Sequence, residues 1–230
     1  MARSSNLFGA VALLAGALSM PVHADESQSS KSMKRVTLGL GFNTIIKDPS
    51  FNSATANATL NQGGKFGFKV QYDQTLTEIS TGGQHPVYVY GGVKAFGSWA
   101  PNEVIASAVN SPVTGETHNW GLGGVLGMET HVADDTYARV QAGAGASYQE
   151  LNVFQNGALI YTGDSLVPTV YGGVSLDHYF WDCFFLGLFG DLYWSGGFDV
   201  KNQATNQTIS VGGRVEAVVG VQGGIDFSKM

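Results

Sequence analysis

The sequence predicts an all-β fold: a transmembrane eight-stranded antiparallel up-and-down β-barrel. Apolar and polar residues alternate with period two in eight separate runs, which is the pattern of strands with two unlike faces. Long and short polar connections alternate between these runs, as in membrane barrels with extended outer loops and tight periplasmic turns. Charged residues make up only 13% of the 230-residue chain, against roughly 25% in ordinary soluble domains.

The N-terminus has the features of a secretory signal peptide. Arg3 supplies a positive charge, Leu7–Met20 is apolar or small, and residues 22–24 (VHA) fit a cleavage site before Asp25. The apolar run is shorter than the roughly 20 residues that a transmembrane helix needs. We therefore expect export through the Sec pathway. The predicted segments are a signal peptide over 1–24, a flexible periplasmic leader over 25–34 and the barrel over 35–230.

One face of every run is apolar and almost free of charge, so it is assigned to lipid, while the other face is rich in Gly, Ser, Gln, Asn and Tyr. In water the apolar face would promote aggregation, whereas a closed barrel in lipid requires it. The lipid-facing residues, run by run, are Val36, Leu38, Leu40 and Phe42; Phe66, Phe68, Val70 and Tyr72; Val87, Val89, Val93, Ala95 and Trp99; Trp120, Leu122, Leu126 and Met128; Ala138, Val140, Ala142, Ala144, Ala146 and Tyr148; Val170, Val174 and Leu176; Leu186, Leu188, Leu192 and Trp194; and Val211, Val215, Ala217, Val219, Val221, Ile225 and Phe227.

The connections between the runs differ in length. Long polar loops are predicted near 44–63, 100–117, 150–165 and 197–208, short turns near 133–136 and 181–183, and an intermediate connection near 75–85. The even number of strands places both termini on the periplasmic side. Residues 103–109 (EVIASAV), an apolar stretch within the second loop, are interpreted as strand extension in preference to a binding patch, because β-branched residues favour strands.

Aromatic residues on the lipid-facing parity lie at the predicted strand ends, where two interfacial girdles are expected. The outer girdle includes Phe42, Phe66, Trp99, Trp120, Tyr148 and Trp194, and the periplasmic girdle includes Tyr72, Phe180, Phe184 and Phe227.

With these features the chain resembles the opacity-protein and outer-membrane-protein-A-like family of small bacterial barrels over roughly 35–230. The resemblance rests on the signal peptide, the eight amphipathic strands, the loop alternation and a final strand reading VGGRVEAVVGVQGGIDF. It implies a place in the outer membrane of a Gram-negative bacterium, contact with outer-membrane lipids and lipopolysaccharide, and handling by periplasmic chaperones and the β-barrel assembly machinery. Members typically end on an aromatic residue that assists assembly. Here Phe227 is followed by three further residues, and we expect it to substitute.

Charged residues on the inward parity predict a filled lumen. They are Lys69, Asp73, Lys94, Glu129, Arg139, Asp177, Asp191, Arg214, Glu216 and Asp226. Charges inside a narrow barrel must be paired or hydrated, so a salt-bridge network is expected among Lys69, Lys94, Glu129, Arg139, Asp191, Arg214 and Glu216. A turn near 134–135 places Glu129 opposite Arg139, and a loop centred near 202 is expected to bring Asp191 close to Arg214. The network either plugs the barrel or gates a thin pore.

Catalysis is not predicted. Among His85, His118, His131 and His178, only His131 points inward, and Ser147 on the next strand lies near the opposite end, so no nucleophile–base pair forms. No cofactor or metal site is expected, and Cys183, the single cysteine, has no intramolecular partner.

The remaining functions concern binding or transport. A formal net charge of −6 without a basic run argues against a nucleic-acid partner, and a monomer is expected. The sequence favours a structural or surface-recognition (adhesin-like) role through the extracellular loops, with a host or surface ligand as the partner. The alternative is a small porin-like channel with a charge-gated lumen.

Overall fold

The computed structural model describes residues 33–47, 50–52, 57–59, 65–79, 85–105 and 113–230. The predicted signal peptide and nearly all of the predicted leader lie outside these residues, as do positions 106–109 of the apolar stretch in the second loop. Among the described residues, the structure contains no apolar helix with the length of a membrane span.

Eight long strands close into a ring, which confirms the predicted fold class. In the described part of the chain the strands are β1 Lys34–Lys47, β2 Ser50–Asn52, β3 Asn57–Thr59, β4 Lys65–Ile79, β5 Val87–Ile105, β6 Val113–Ala133, β7 Thr136–Gln155, β8 Ala158–Phe180, β9 Phe184–Ser195, β10 Phe198–Asn202, β11 Thr208–Val211 and β12 Arg214–Asp226. Strands β1, β4, β5, β6, β7, β8, β9 and β12 each pair antiparallel with the next. Pairing of β12 with β1 closes the ring, so no edge of the barrel wall is left with unpaired backbone groups.

The side chains alternate between the two faces as the sequence predicts. On β1, Leu38 and Leu40 are exposed whereas Thr37 and Gly39 are buried, and the same alternation runs around the ring. The prediction for Val211 is wrong, because this side chain is buried. Gly212 and Gly213 interrupt the last run, so Val211 belongs to the separate strand β11 and not to the barrel wall.

The two ends of the barrel differ in their connections. The end that holds Lys34 and Asp226, here called the terminal end, carries the two short turns at Asp134–Asp135 and 181–183. Asp135 and Trp181 adopt positive φ angles of 57° and 47° in these turns, which lets each chain reverse within two or three residues.

At the opposite end, here called the hairpin end, the strands run further than predicted. The loop expected at 150–165 is wrong, because β7 and β8 continue through it as a paired hairpin. Asn156 and Gly157 close this hairpin with φ angles of 51° and 80°, the left-handed pair that a two-residue hairpin turn requires. The loop expected at 197–208 likewise contains the paired strands β10 and β11.

These extra strands hydrogen-bond to one another beyond the ring. β10 pairs with the outer part of β8 at Lys201↔Thr162 and with β11 along its length. β11 then pairs with β2, and β2 with β3. The hairpin end is therefore a hydrogen-bonded sheet extending from the barrel wall.

Arginine substitutions test where lipid surrounds the barrel. Leu188 is exposed at the middle of β9 between exposed neighbours Val221 and Leu176, whereas Leu159 is exposed near the tip of the β7–β8 hairpin. We expect Leu188→Arg to lower the free energy of unfolding by about 2–4 kcal/mol and Leu159→Arg by about 0–1 kcal/mol, because only the first places a charge at the bilayer midplane. Denaturant unfolding in lipid vesicles measures both values. Equal decreases in the free energy of unfolding would contradict the placement of Leu188 at the bilayer midplane.

Candidate functional site: the lumen and the hairpin end

The lumen at the terminal end is filled by a cluster centred on two arginines. Arg35 binds Glu129 at 2.8 Å and Asp177 at 3.4 Å, and it hydrogen-bonds the Tyr179 hydroxyl. Arg139 binds Asp73 at 2.7 Å and, as the short turn predicts, Glu129 at 3.0 Å. Both guanidinium groups also stack on aromatic rings, Arg35 on Phe185 at 4.7 Å and Arg139 on Tyr90 at 4.2 Å. The cluster therefore joins opposite walls of the barrel.

A second cluster lies deeper and is built around one carboxylate. Asp191 binds Lys94 at 2.8 Å and Lys69 at 3.2 Å, and accepts hydrogen bonds from Gln141 and the Tyr193 hydroxyl. These five side chains come from β4, β5, β7 and β9. Both lysines are almost fully buried, and Asp191 forms an ion pair with each of them.

The expected contact between Asp191 and Arg214 is wrong. The register of β9 and β12 places Arg214 opposite Ser195 and Asp191 opposite Val218, four residues further along. Arg214 instead lies 3.1 Å from Glu216, which also accepts a hydrogen bond from Asn43. The prediction assumed that the two wall strands pair symmetrically about residue 202. Because the β10–β11 hairpin lies between these strands, the centre of the connection does not determine their register.

Aromatic rings fill the lumen from the level of the Asp191 cluster toward the hairpin end. Phe96 lies 4.7 Å from Tyr193 and 5.6 Å from Tyr171, measured between ring centroids. Glycines on the facing strands make room for these rings: a Cβ on Gly121 would overlap Phe96, and one on Gly143 would overlap Tyr171. The small residues on the inward parity thus leave the space that the large lumen side chains occupy.

At the hairpin end the inward face becomes apolar. Above a hydroxyl contact between Ser147 and Thr169 at 2.7 Å, the inward parity of β7 continues with buried Gln149 and then with the buried apolar residues Leu151 and Val153. These pack with residues of β10 and β11 into one cluster, comprising Leu151, Val153, Val200, Ile209 and Val211. This cluster, here called the apolar cap, packs the inner face of β7 against β10 and β11 at the hairpin end of the lumen.

Two small pockets lie inside the described part of the barrel. A pocket at the terminal end, lined by Arg35, Tyr90 and Glu129 among others, measures about 10 Å³. A second pocket of about 10 Å³ lies beside Phe96 and Tyr193. Each volume suffices for roughly one water molecule, so neither pocket forms a passage.

The outer surface is an apolar band between two aromatic rows. Phe42, Trp99, Trp120, Tyr148 and Trp194 are all exposed near the hairpin end. The register joins several of them directly, since Phe42 faces Phe66, Phe66 faces Trp99, and Trp120 faces Tyr148. Near the terminal end, Phe180 faces Phe184, and Phe227 is exposed just after β12.

The spacing of these rows matches a bilayer. Phe184 and Trp194 lie at the two ends of β9, ten residues apart, and a tilted strand needs about 9–11 residues to cross the hydrocarbon core. A closed ring with an apolar exterior, two aromatic rows and a polar interior fits only a lipid environment. The chain is an outer-membrane β-barrel.

Known proteins resemble this chain at the level of solved structures. No family model matches the chain, and no curated protein sequence matches it. Among solved structures, the barrel is similar to the outer membrane protease OmpT from Escherichia coli (TM-score 0.49, 7% identity, 88% of this chain and 99% of that one), to the outer membrane protein OprG from Pseudomonas aeruginosa (0.48, 7%, 84% and 95%) and to the Neisserial surface protein A (0.44, 11%, 84% and 97%). These similarities concern the fold and carry no information about the activity of this barrel.

The structure places the candidate catalytic side chains apart. Ser147 hydrogen-bonds Thr169 within the lumen near the hairpin end, whereas His131 lies near the terminal end beside His85 and Tyr137. The two groups therefore do not form a nucleophile–base pair.

Arg35 is the principal lumen residue that the sequence analysis missed. The predicted barrel begins at this residue, but its side chain was assigned to neither the lipid-facing nor the inward face. The alternation of β1 extends back to Arg35 and assigns it to the inward face. The side chains of Phe185, Phe189 and Tyr193 were also missed, although they share the parity of Asp191 on β9.

Removing the carboxylate of Asp191 tests the second cluster. Asp191→Asn leaves Lys69 and Lys94 buried without their shared acid, and we expect the free energy of unfolding to fall by about 3–5 kcal/mol. The control is Asp182→Asn in the exposed turn after β8, where little change is expected. Denaturant unfolding followed by tryptophan fluorescence measures both. A decrease in the free energy of unfolding no larger than that of the control would contradict the pairing.

Proposed function

We propose that this barrel is a surface-recognition protein, adhesin-like in its action, and that its ligand binds at the hairpin end. The proposal assigns the barrel a binding role without a catalytic step. The observation that carries it is the apolar cap, which turns the strands beyond the membrane into a rigid structure at the mouth of a filled lumen.

The hairpin end projects well beyond the outer aromatic row. β7 continues seven residues past Tyr148 before its turn, which is about 20 Å along an extended strand. The apolar cap and the β8–β10 pairing hold this projection in one position. A binding surface that is ordered before the ligand arrives loses less conformational entropy on binding.

The projecting strands form a recess with acidic walls. It lies between β8 and the β10–β11 hairpin and is lined by Asp164, Ser165, Phe198, Asp199 and Ser210 among others, with a volume of about 520 Å³. Asp164 and Asp199 are both exposed, and Ser210 donates a hydrogen bond to Asp199 at 2.7 Å. Two carboxylates beside an aromatic ring suit a ligand that presents a basic group.

An adherence assay tests the proposal. Gram-negative cells that display the barrel are compared, on cultured epithelial monolayers, with cells carrying an empty vector. We expect display to increase adherence and the double substitution Asp164→Asn/Asp199→Asn to reduce that increase at least fivefold.

The matched control removes two acids from the other end of the barrel. Asp134→Asn/Asp135→Asn changes the net charge equally but lies in an exposed turn at the terminal end, so adherence should stay at the level of the unsubstituted barrel. No increase on display of the barrel, or equal losses in the two double variants, would refute the proposal.

The filled lumen makes the porin-like alternative testable in the same protein. Because paired charges, aromatic rings and the apolar cap occupy successive levels of the lumen, we expect no stepwise conductance when the refolded barrel is added to planar lipid bilayers. Regular conductance steps that change in size in the Asp191→Asn variant would favour a channel instead.

A further inference from the structure

Two histidines that are far apart in the sequence meet at the terminal end of the barrel. His85 lies two residues before β5, and His131 lies near the end of β6. Their Nδ1 atoms are 3.4 Å apart, and their rings stand nearly perpendicular at a centroid distance of 5.0 Å. Both residues lie at the opposite end of the barrel from the recess at the hairpin end.

We propose that His85 and His131 together bind a divalent transition-metal ion of the Cu²⁺ or Zn²⁺ class. Metal–nitrogen bonds to histidine measure about 2.0–2.1 Å, so two imidazole nitrogens on one tetrahedral ion lie about 3.3–3.4 Å apart. The two Nδ1 atoms already have this separation. Imidazole nitrogen is also a ligand that Cu²⁺ and Zn²⁺ accept readily, with Cu²⁺ bound more tightly.

The surrounding structure holds both rings in place. His131 is paired with Tyr137 across β6 and β7, and its ring lies 4.8 Å from the Tyr137 ring. Pro86 restricts the backbone next to His85, and its carbonyl accepts a hydrogen bond of 3.2 Å from Thr130, the residue before His131. Because this bond ties the two chain segments together, metal binding needs little rearrangement.

The position is open to an incoming ion. His85 is exposed and His131 is half-buried, so water can occupy the remaining coordination positions. The described residues contain no group of three or more His, Cys, Asp and Glu side chains that could hold a metal, which makes this a two-ligand site. Asp134 and Asp135 in the adjoining turn contribute negative potential that attracts cations, while Lys229, 5.4 Å from the Tyr137 ring, opposes part of it.

Calorimetric titration of the purified full chain in detergent, without a polyhistidine tag, tests the site at neutral pH. Cu²⁺ and Zn²⁺ are titrated separately, with Ca²⁺ as an ion that prefers oxygen ligands. We expect one equivalent of Cu²⁺ to bind saturably and more tightly than Zn²⁺, and no binding of Ca²⁺. His85→Gln and His131→Gln should each raise the dissociation constant at least tenfold.

The control variant is His178→Gln. His178 lies at the same end of the barrel with its Nδ1 atom 2.9 Å from the Thr136 hydroxyl, and its loss should change the dissociation constant less than twofold. Heat-dependent migration in gels verifies that each variant is folded. The proposal is wrong if neither metal binds saturably, if both His85 and His131 variants bind as the unsubstituted chain does, or if His178→Gln abolishes binding. In each case the histidine pair is only a hydrogen bond between two rings.

Discussion

The narrow interior of an eight-stranded ring is the constraint on which the rest of this structure depends. Such a ring leaves room for side chains and little else, so most inward side chains are buried and every inward charge needs a partner. Among the residues that the structure describes, five basic and six acidic side chains are buried. The acids without a close cation are satisfied by neutral donors, as where Asp226 accepts hydrogen bonds from Tyr179 and Ser228.

This constraint separates the molecule into layers along its axis. The arginine cluster, the Asp191 cluster, the aromatic rings and the apolar cap each join strands that are far apart in the sequence. The wall and its contents therefore stiffen one another, and the stiffness extends into the β7–β8 hairpin through the apolar cap. A recognition surface on such a support differs from one on separate loops, because its parts keep fixed relative positions.

Alternation with period two indicates where the strands lie and which residues face lipid or the lumen. The sequence therefore predicted most of the barrel. It also placed Glu129 opposite Arg139, since a two-residue turn leaves only one register. The sequence did not predict side-chain contacts between strands that no short turn connects. The partners of Asp191 are lysines on β4 and β5, and no turn connects those strands to β9, so only closure of the ring brings them together.

The strands at the hairpin end were also not predicted from the sequence. Residues 150–165 have polar positions that suggested a loop. The residues Asn156 and Gly157 instead form a hairpin turn, and Leu151 and Val153 before it continue the inward parity of the wall. The apolar cap was not predictable because its members come from β7, β10 and β11, which meet only in three dimensions. The proximity of His85 to His131 escaped prediction for the same reason, since His85 lies in a connection without a defined face.

The most direct test of the filled lumen is the accessibility of single cysteines to a water-soluble maleimide that does not cross membranes. In a Cys183→Ser background, Ser147→Cys places a thiol inside the barrel, where Ser147 is fully buried, and Asp199→Cys places one on the exposed hairpin end. In intact outer membranes the structure predicts rapid labelling at position 199 and none at position 147 until the barrel is unfolded. If position 147 in the folded barrel is labelled at a rate similar to that of position 199, water and small solutes enter the lumen. This result would contradict a filled lumen.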